Sequence, residues 1–245
     1  MMASTKEKSA VNRVIVIYPG RFQPMGKHHY DTYMELQSIY GDDTYIATSD
    51  KVDLPKSPLN FEEKKAIITA HGISPDKVVQ VKNPYGAKEI LKNFDPNTTS
   101  VIYAVGAKDM GENPRFKVGL TKKGTPTYYQ DYEKTDKDKL LPYYKQAYLV
   151  VAPHVEHKIP GYGEMSGTTL RAVLSTADED TFKKIMGIDN TELYEMMKNK
   201  FASSASKKRK RKKRKKRTKK KKRKHMHKGK NSKYRNKGKT IRKFK

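Results

Sequence analysis

The chain of 245 residues contains no cysteine, which excludes disulfides and thiolate metal sites. No stretch approaches the ~18 consecutive apolar residues that a membrane-spanning helix needs. Residues 1–12 are polar and lack the apolar core of a signal peptide. No internal repeat is found. The expectation is a soluble, intracellular protein without a membrane partner, cytoplasmic, or nuclear or nucleolar if the host is eukaryotic. Neither G-x-G-x-x-G nor G-x-x-x-x-G-K-[ST] occurs, so neither a dinucleotide-dependent dehydrogenase nor a P-loop NTPase is supported.

Acids are missing from one region only. Of the 54 Lys and Arg, 26 lie between Lys207 and Lys245, a stretch with no Asp or Glu; the other 28 face all 26 acids. The overall charge of +28 therefore hides a near-neutral first region, long enough for one domain with a sizeable core. The second region offers only Met226, Tyr234, Ile241 and Phe244 as large apolar residues and cannot fold alone against its own repulsion. The expected organisation is a mobile leader over 1–11, a domain over 12–203 and a disordered polybasic tail over 204–245.

Within the domain, Val14 to Ile17 form a β-branched run suited to a strand buried on both faces of a parallel sheet. Pro19, Gly20 and Pro24 stop it. Tyr33, Leu36 and Tyr40, joined by Tyr30 and Met34, then fall at helical spacing. Arg21, Lys27, His28 and His29 sit in the turn between. A helix starting near His28 would aim its free N–H groups and dipole into the crevice above the strand, a phosphate site in outline.

Further strands are expected at Thr44–Thr48, Lys77–Val81, Ser100–Val105 and Ala147–Val151. A helix capped by Asn60 and Glu63 should stop at Gly72, and short or closing helices are expected at Ala87–Phe94, Glu179–Met186 and Glu192–Phe201. Residues 110–145 are polar and rich in Lys, Tyr, Gly and Pro, and read as an insertion or long loop with room for a small hairpin. The alternation predicts an α/β fold, a doubly wound, Rossmann-like parallel sheet of about five strands with C-terminal helices. Ligands of such sheets bind beyond the strands' carboxyl ends, where the Gly20 and Gly106 turns fall.

Gly20-Arg21-Phe22-Gln23-Pro24 followed by a His-containing helix start resembles the signature G-R-F-Q-P-F-H-x-G-H of the HIGH-motif nucleotidyltransferase superfamily, which includes nicotinamide-mononucleotide adenylyltransferases and cytidylyltransferases. The tetrad here is Gly26-Lys27-His28-His29, so its first His is Gly and its Gly is His, while the last His matches. Ser166-Gly167-Thr168-Thr169-Leu170-Arg171 resembles the superfamily's second signature, S-[SG]-T-x-[LIV]-R, at a helix start beside the same nucleotide. Either signature alone is weak; both, in order and at the positions the fold needs, are much stronger. Pro58-Leu59-Asn60-Phe61 and the closing helix pair are similar to cytidylyltransferase-like proteins of tailed phages.

The resemblance implies transfer of a nucleoside monophosphate from ATP or CTP to a phosphate-bearing acceptor, releasing pyrophosphate, with Mg²⁺ accompanying the triphosphate. It implies His29 and His28 at the α-phosphate and Arg21, Lys27 and Arg171 along the triphosphate. Gly20, Phe22, Gly26, Gly106, Asp109, Ser166, Gly167 and Thr168 complete the nucleotide site. The residues themselves agree in part: Ser166 is a suitable N-cap, and Arg171 can bind phosphate in a fork.

Each role has a bland counterpart. His28 and His29 alone read as polar residues at a helix start, Lys27 and Lys108 as solvated lysines, Asp109 as a turn carboxylate. His154 and His157 lack a third ligand at fixed spacing and read as loop composition. For Tyr128, Tyr129, Tyr132, Tyr143 and Tyr144 the default is packing of the insertion, with stacking on a base as the alternative. The changed tetrad motivates a second function: a catalytically decayed domain serving as a nucleic-acid-binding or virion-associated protein.

The tail is shared by both readings. Lys207, Lys208, Arg209, Lys210, Arg211, Lys212, Lys213 and Arg214 open a polycation expected to bind nucleic acid, without sequence preference because nothing in it reads bases.

Overall fold

The structure, a computed structural model, describes residues 11–111 and 114–204. The expected leader, but for Val11, and the expected tail, but for Ser204, lie outside the described residues. At the centre is β1 (Arg13–Pro19), whose last five residues are buried. Ile15 and Ile17 pack into one side layer with Val101, Tyr103 and Ile90; Val16 and Tyr18 pack into the other with Leu36, Ile67 and Leu170. Burial on both faces accounts for the unbroken apolar run.

On one side of β1 lie β2 (Thr44–Thr48) and then β3 (Val78–Gln80); on the other lie β4 (Thr99–Val105), β6 (Ala147–Val151) and β5 (Tyr129–Asp131). All neighbours are parallel, with Val16 opposite both Thr44 and Ile102. The winding direction reverses between β1 and β4, and a crevice opens there beyond the carboxyl ends. Six strands replace the expected five. The extra one, β5, comes from the insertion: Tyr-Gln-Asp has no apolar run to announce it, and it is defined by its pairing with β6.

Helices α1 (Lys27–Tyr40), α2 (Phe61–Ala70) and α3 (Lys88–Leu91) connect the first strands. The α1 stripe buries Tyr33 and Leu36 as expected, with Thr32 beside them, while Met34 turns outward. α2 begins with the expected reciprocal cap: Asn60 Oδ1 accepts from Glu63 N–H at 2.9 Å, and Glu63 Oε2 accepts from Asn60 N–H at 2.9 Å. α3 is a single turn, shorter than the eight residues expected. After β6, a small antiparallel hairpin of β7 (Lys158–Ile159) and β8 (Gly163–Glu164) leads into α4 (Gly167–Leu174), α5 (Glu179–Met186) and a last helix, α6, over 191–204. Phe182, Met186, Met197 and Phe201 bury these helices against the α1–α2 layer.

Candidate active site

The turn after β1 is built by packing rather than by regular structure. Phe22 takes a left-handed backbone (φ 41°), which costs a non-glycine residue about 1–2 kcal/mol, and its ring folds back over Gly20. A Cβ on Gly20 would lie 2.6 Å from that ring, so a side chain cannot stand there without moving it. The ring is buried, edge-on to Tyr18 at 5.4 Å and to His29 at 5.5 Å. Gln23 is buried as well, and its amide donates to Leu59 O at 2.8 Å while accepting from Leu59 N–H at 2.9 Å. This pair of bonds ties the β1–α1 turn to the segment that opens α2.

α1 then starts from Gly26 with no side-chain cap and no acid in its first turn. His29 fills the capping role: its Nδ1 accepts the Gly26 N–H at 3.3 Å. With Nδ1 accepting, a neutral His29 carries its proton on Nε2 and offers a donor there. Burial holds its pKa down to about 3, with His28 and His71 adding repulsion. His28, whose ring centroid lies 3.8 Å from that of His29, is lowered to about 4, first by burial and then by His157 and His154, with Asp31 opposing. Both imidazoles are neutral at pH 7, and buried His28 Nδ1 has no hydrogen-bond partner.

The missing first His of the tetrad has a steric reason. A Cβ at Gly26 would lie 2.6 Å from Leu170 Cδ1 and 3.1 Å from His28 Nδ1. The start of α4 closes on α1 at this point, and the His28 ring lies where a side chain at position 26 would begin.

α4 brings in the second signature. Ser166 is its N-cap and accepts from Thr169 N–H at 3.2 Å. Gly167 is pressed against the loop after β1: a Cβ there would be 3.3 Å from both Gln23 O and Arg171 Nη1. Arg171 donates through Nη1 to Gln23 O, 148 positions away, and through Nη2 to Thr168 Oγ1 at 3.3 Å. Its pKa is lowered by burial and then by the charge of Arg21. Among the described residues, no carboxylate lies within 4 Å of Arg171 or Arg21. Lys27, at the first position of α1, is exposed and equally unpaired. A half-buried guanidinium repelled by a second, with no carboxylate within 4 Å among the described residues, is chemically suited to an anion.

At the end of β4 the picture differs. Gly106 opens a short turn, Ala107–Asp109. Asp109 Oδ1 accepts from Arg115 Nε at 3.0 Å and Oδ2 from the Tyr85 hydroxyl at 3.3 Å, while the Arg115 guanidinium lies 4.1 Å over the Tyr85 ring. Both carboxylate oxygens are engaged by neighbours. No group of three or more His, Asp or Glu among the described residues could hold a metal ion.

The structure thus brings Arg21, Phe22, Gly26, His28, His29, Gly167, Thr168 and Arg171 together, with Lys27 beside them. It also brings in His154 and His157, which the sequence reads as loop composition, and others that the sequence does not single out. His157 Nε2 lies 2.6 Å from Asp31 Oδ2 on α1, His154 faces Glu164 at 3.5 Å, and His71 stacks on Tyr30 with ring centroids 5.4 Å apart. Thr32 Oγ1 donates to Pro153 O at 3.1 Å, fastening the loop after β6 to α1. Only Gln23, inside the first signature, carried a signal; nothing about His71 or Asp31 in the sequence links them to His28. Comparison with protein-family models and with curated proteins finds no match for this chain.

Proposed function

We propose that the chain is a nucleotidyltransferase, moving a nucleoside monophosphate from ATP or CTP to a phosphate-bearing acceptor and releasing pyrophosphate. The observation that carries this reading is the pair Arg21 and Arg171 at the β1–α1 turn, with no carboxylate within 4 Å among the described residues and Arg171 reaching back from α4 to Gln23 O. In the reaction an acceptor phosphate oxygen bonds to the α-phosphorus as the α–β anhydride bond breaks, and the electron pair leaves on pyrophosphate. No covalent nucleophile is needed; positioning and charge stabilisation are the protein's task.

His29, neutral and donating from Nε2, suits a non-bridging oxygen of the α-phosphate. His28 stands in for the missing tetrad His, its ring beside position 26. Arg171, Arg21 and Lys27 take up the charge that grows on the leaving pyrophosphate, and Ser166, Gly167 and Thr168 supply the α4 first turn to phosphate oxygens. Gly20 and Gly106, with Phe22, shape the floor of the crevice. Asp109 serves by holding Arg115 and Tyr85 at its edge. Mg²⁺ would enter with the triphosphate substrate, whose charge it offsets, and no step runs through it.

The test is calorimetric titration of the full chain with Mg²⁺–ATP and Mg²⁺–CTP at raised salt, beside Arg171→Ala. The tail contributes equally to both proteins, so their difference isolates the site. Saturable binding of one triphosphate, weakened at least about tenfold in the variant, supports the reading. Identical isotherms for the two proteins would overturn it. Binding without pyrophosphate release across a panel of phosphorylated acceptors would favour the second reading, a decayed domain with a nucleic-acid-binding tail, which the changed tetrad motivates.

A further inference from the structure

A second cavity, of about 520 Å³, opens on the α3 side of the sheet, where the insertion packs back on β4. Its wall is tyrosine: Tyr103 from β4, Tyr128 beside β5, and Tyr143 and Tyr144 from the loop before β6. Three hydroxyls are engaged by backbone carbonyls: Tyr103 donates to Gly86 O at 3.0 Å, Tyr128 to Tyr143 O at 2.6 Å, and Tyr143 to Phe94 O at 3.0 Å. These bonds fix the rings. Tyr128 and Tyr144, 43% and 52% exposed, stand toward solvent.

Lys88, which opens α3, and Lys92, its C-cap, line the cavity too, beside Gly86, Leu91 and Tyr129, and the lining contains no Asp or Glu. Both are exposed, and neither has a carboxylate within 4 Å among the described residues. The two are one helical turn apart, so their side chains emerge on the same face about 5–6 Å from each other.

We infer that this cavity takes an unstacked nucleotide of a single-stranded nucleic acid, its base against the tyrosine rings and its flanking phosphates at Lys88 and Lys92. A hydrocarbon ligand would not use the cations, and a bare phosphate would not use the rings. Aromatic faces with nearby cations are how proteins hold single strands without reading sequence. Two cations one turn apart suit phosphates on both sides of a base, which a free mononucleotide does not have. The 26 Lys and Arg beyond Ser206 would raise the local concentration of the strand, leaving the cavity a second, intramolecular step. The inference is independent of the nucleotidyl-transfer reading, since it uses none of that site's residues.

The experiment is photocrosslinking of the full chain to a short single strand carrying 5-iodouracil, at about 0.4 M salt to suppress the tail's electrostatic binding, with mass-spectrometric mapping. Crosslinks at Tyr128 or Tyr144 are expected, falling about fivefold or more in Tyr144→Ala, the loss expected from one stacked base. Lys88→Gln with Lys92→Gln should weaken them as well, and Arg171→Ala should leave them unchanged. Crosslinks confined to residues 207–245, or equal yields with a duplex carrying the same label, would overturn the proposal. So would competition by a free mononucleotide as effective as competition by the unlabelled strand.

Discussion

At position 26 the absence of a side chain is what lets α4 reach α1. Leu170 is fully buried, so an added side chain must either turn the Leu170 side chain within the packed core or push apart the starts of α1 and α4. Gly26→His, which restores the first His of the tetrad, is therefore expected to lower stability by about 1–3 kcal/mol or more and to weaken triphosphate binding rather than improve it. Denaturant titration beside the calorimetric assay checks both; a variant as stable as wild type would show that Leu170 is not the obstacle. The paired imidazoles give a second expectation at this scale. His28 and His29 hold pKa values of about 4 and 3 in the fold, against about 6.5 in the unfolded chain. Between pH ~6.5 and those values the unfolded chain binds protons that the folded chain refuses. Stability is thus full above pH ~6.5 and declines as pH falls below it, levelling off once the folded values are reached. His29 contributes up to about 1.4 kcal/mol per pH unit; His28, being partly exposed, contributes less. His71, also lowered by burial, acts in the same direction. Urea midpoints at pH 7, 6 and 5 should fall in sequence, and His28→Asn should flatten the slope.

At the scale of elements, the β1–α1 turn keeps its shape through one buried amide. Gln23 answers both the donor and the acceptor of Leu59, and it lies in the same stretch whose carbonyl receives Arg171. Gln23→Ala would leave two buried backbone groups without partners, each costing about 1–3 kcal/mol. The expected result is a destabilised chain in which the turn that presents the residue-23 carbonyl to Arg171 is no longer tied to Leu59, with weaker triphosphate affinity as a consequence. A normal urea midpoint would show instead that water replaces the amide. How much of such a site a sequence discloses depends on how local its cause is. The run Val14–Ile17, the Asn60–Glu63 cap and the Ser166 cap act within a few residues and were legible. Arg21, His29 and Arg171 could be singled out as candidates because they sit in two recognisable stretches, and the fold brings those stretches together. What could not be read was contact between separate stretches: Leu170 against Gly26, His157 against Asp31, Arg115 paired with Asp109. β5 escaped for the same reason, since three polar residues become a strand only when β6 is beside them.

For the whole molecule, the parallel order β3-β2-β1-β4-β6-β5 follows from alternation of strands and helices, and the reversal at β1 and β4 opens the crevice beyond their carboxyl ends. The same economy of local signals does not extend to charge, which is a property of the chain's composition. The 26 cations after Ser206, with no acid among them, give a near-neutral domain a strongly basic companion, and their effect on binding can be predicted without knowing their conformation. Each phosphate neutralised on duplex DNA releases condensed counterions, so engagement of about 10 phosphates gives a slope near −9 for log K against log salt. Sequence changes in the duplex should leave that slope and the affinity at any one salt nearly unaltered, because the binding comes from neutralised phosphates, which carry no sequence information. Filter binding of the full chain across a salt series, with two unrelated duplexes, is the measurement. A slope shallower than about −3 would mean that few of these cations reach phosphate together, and that the folded domain, not the polycation, governs attachment to nucleic acid.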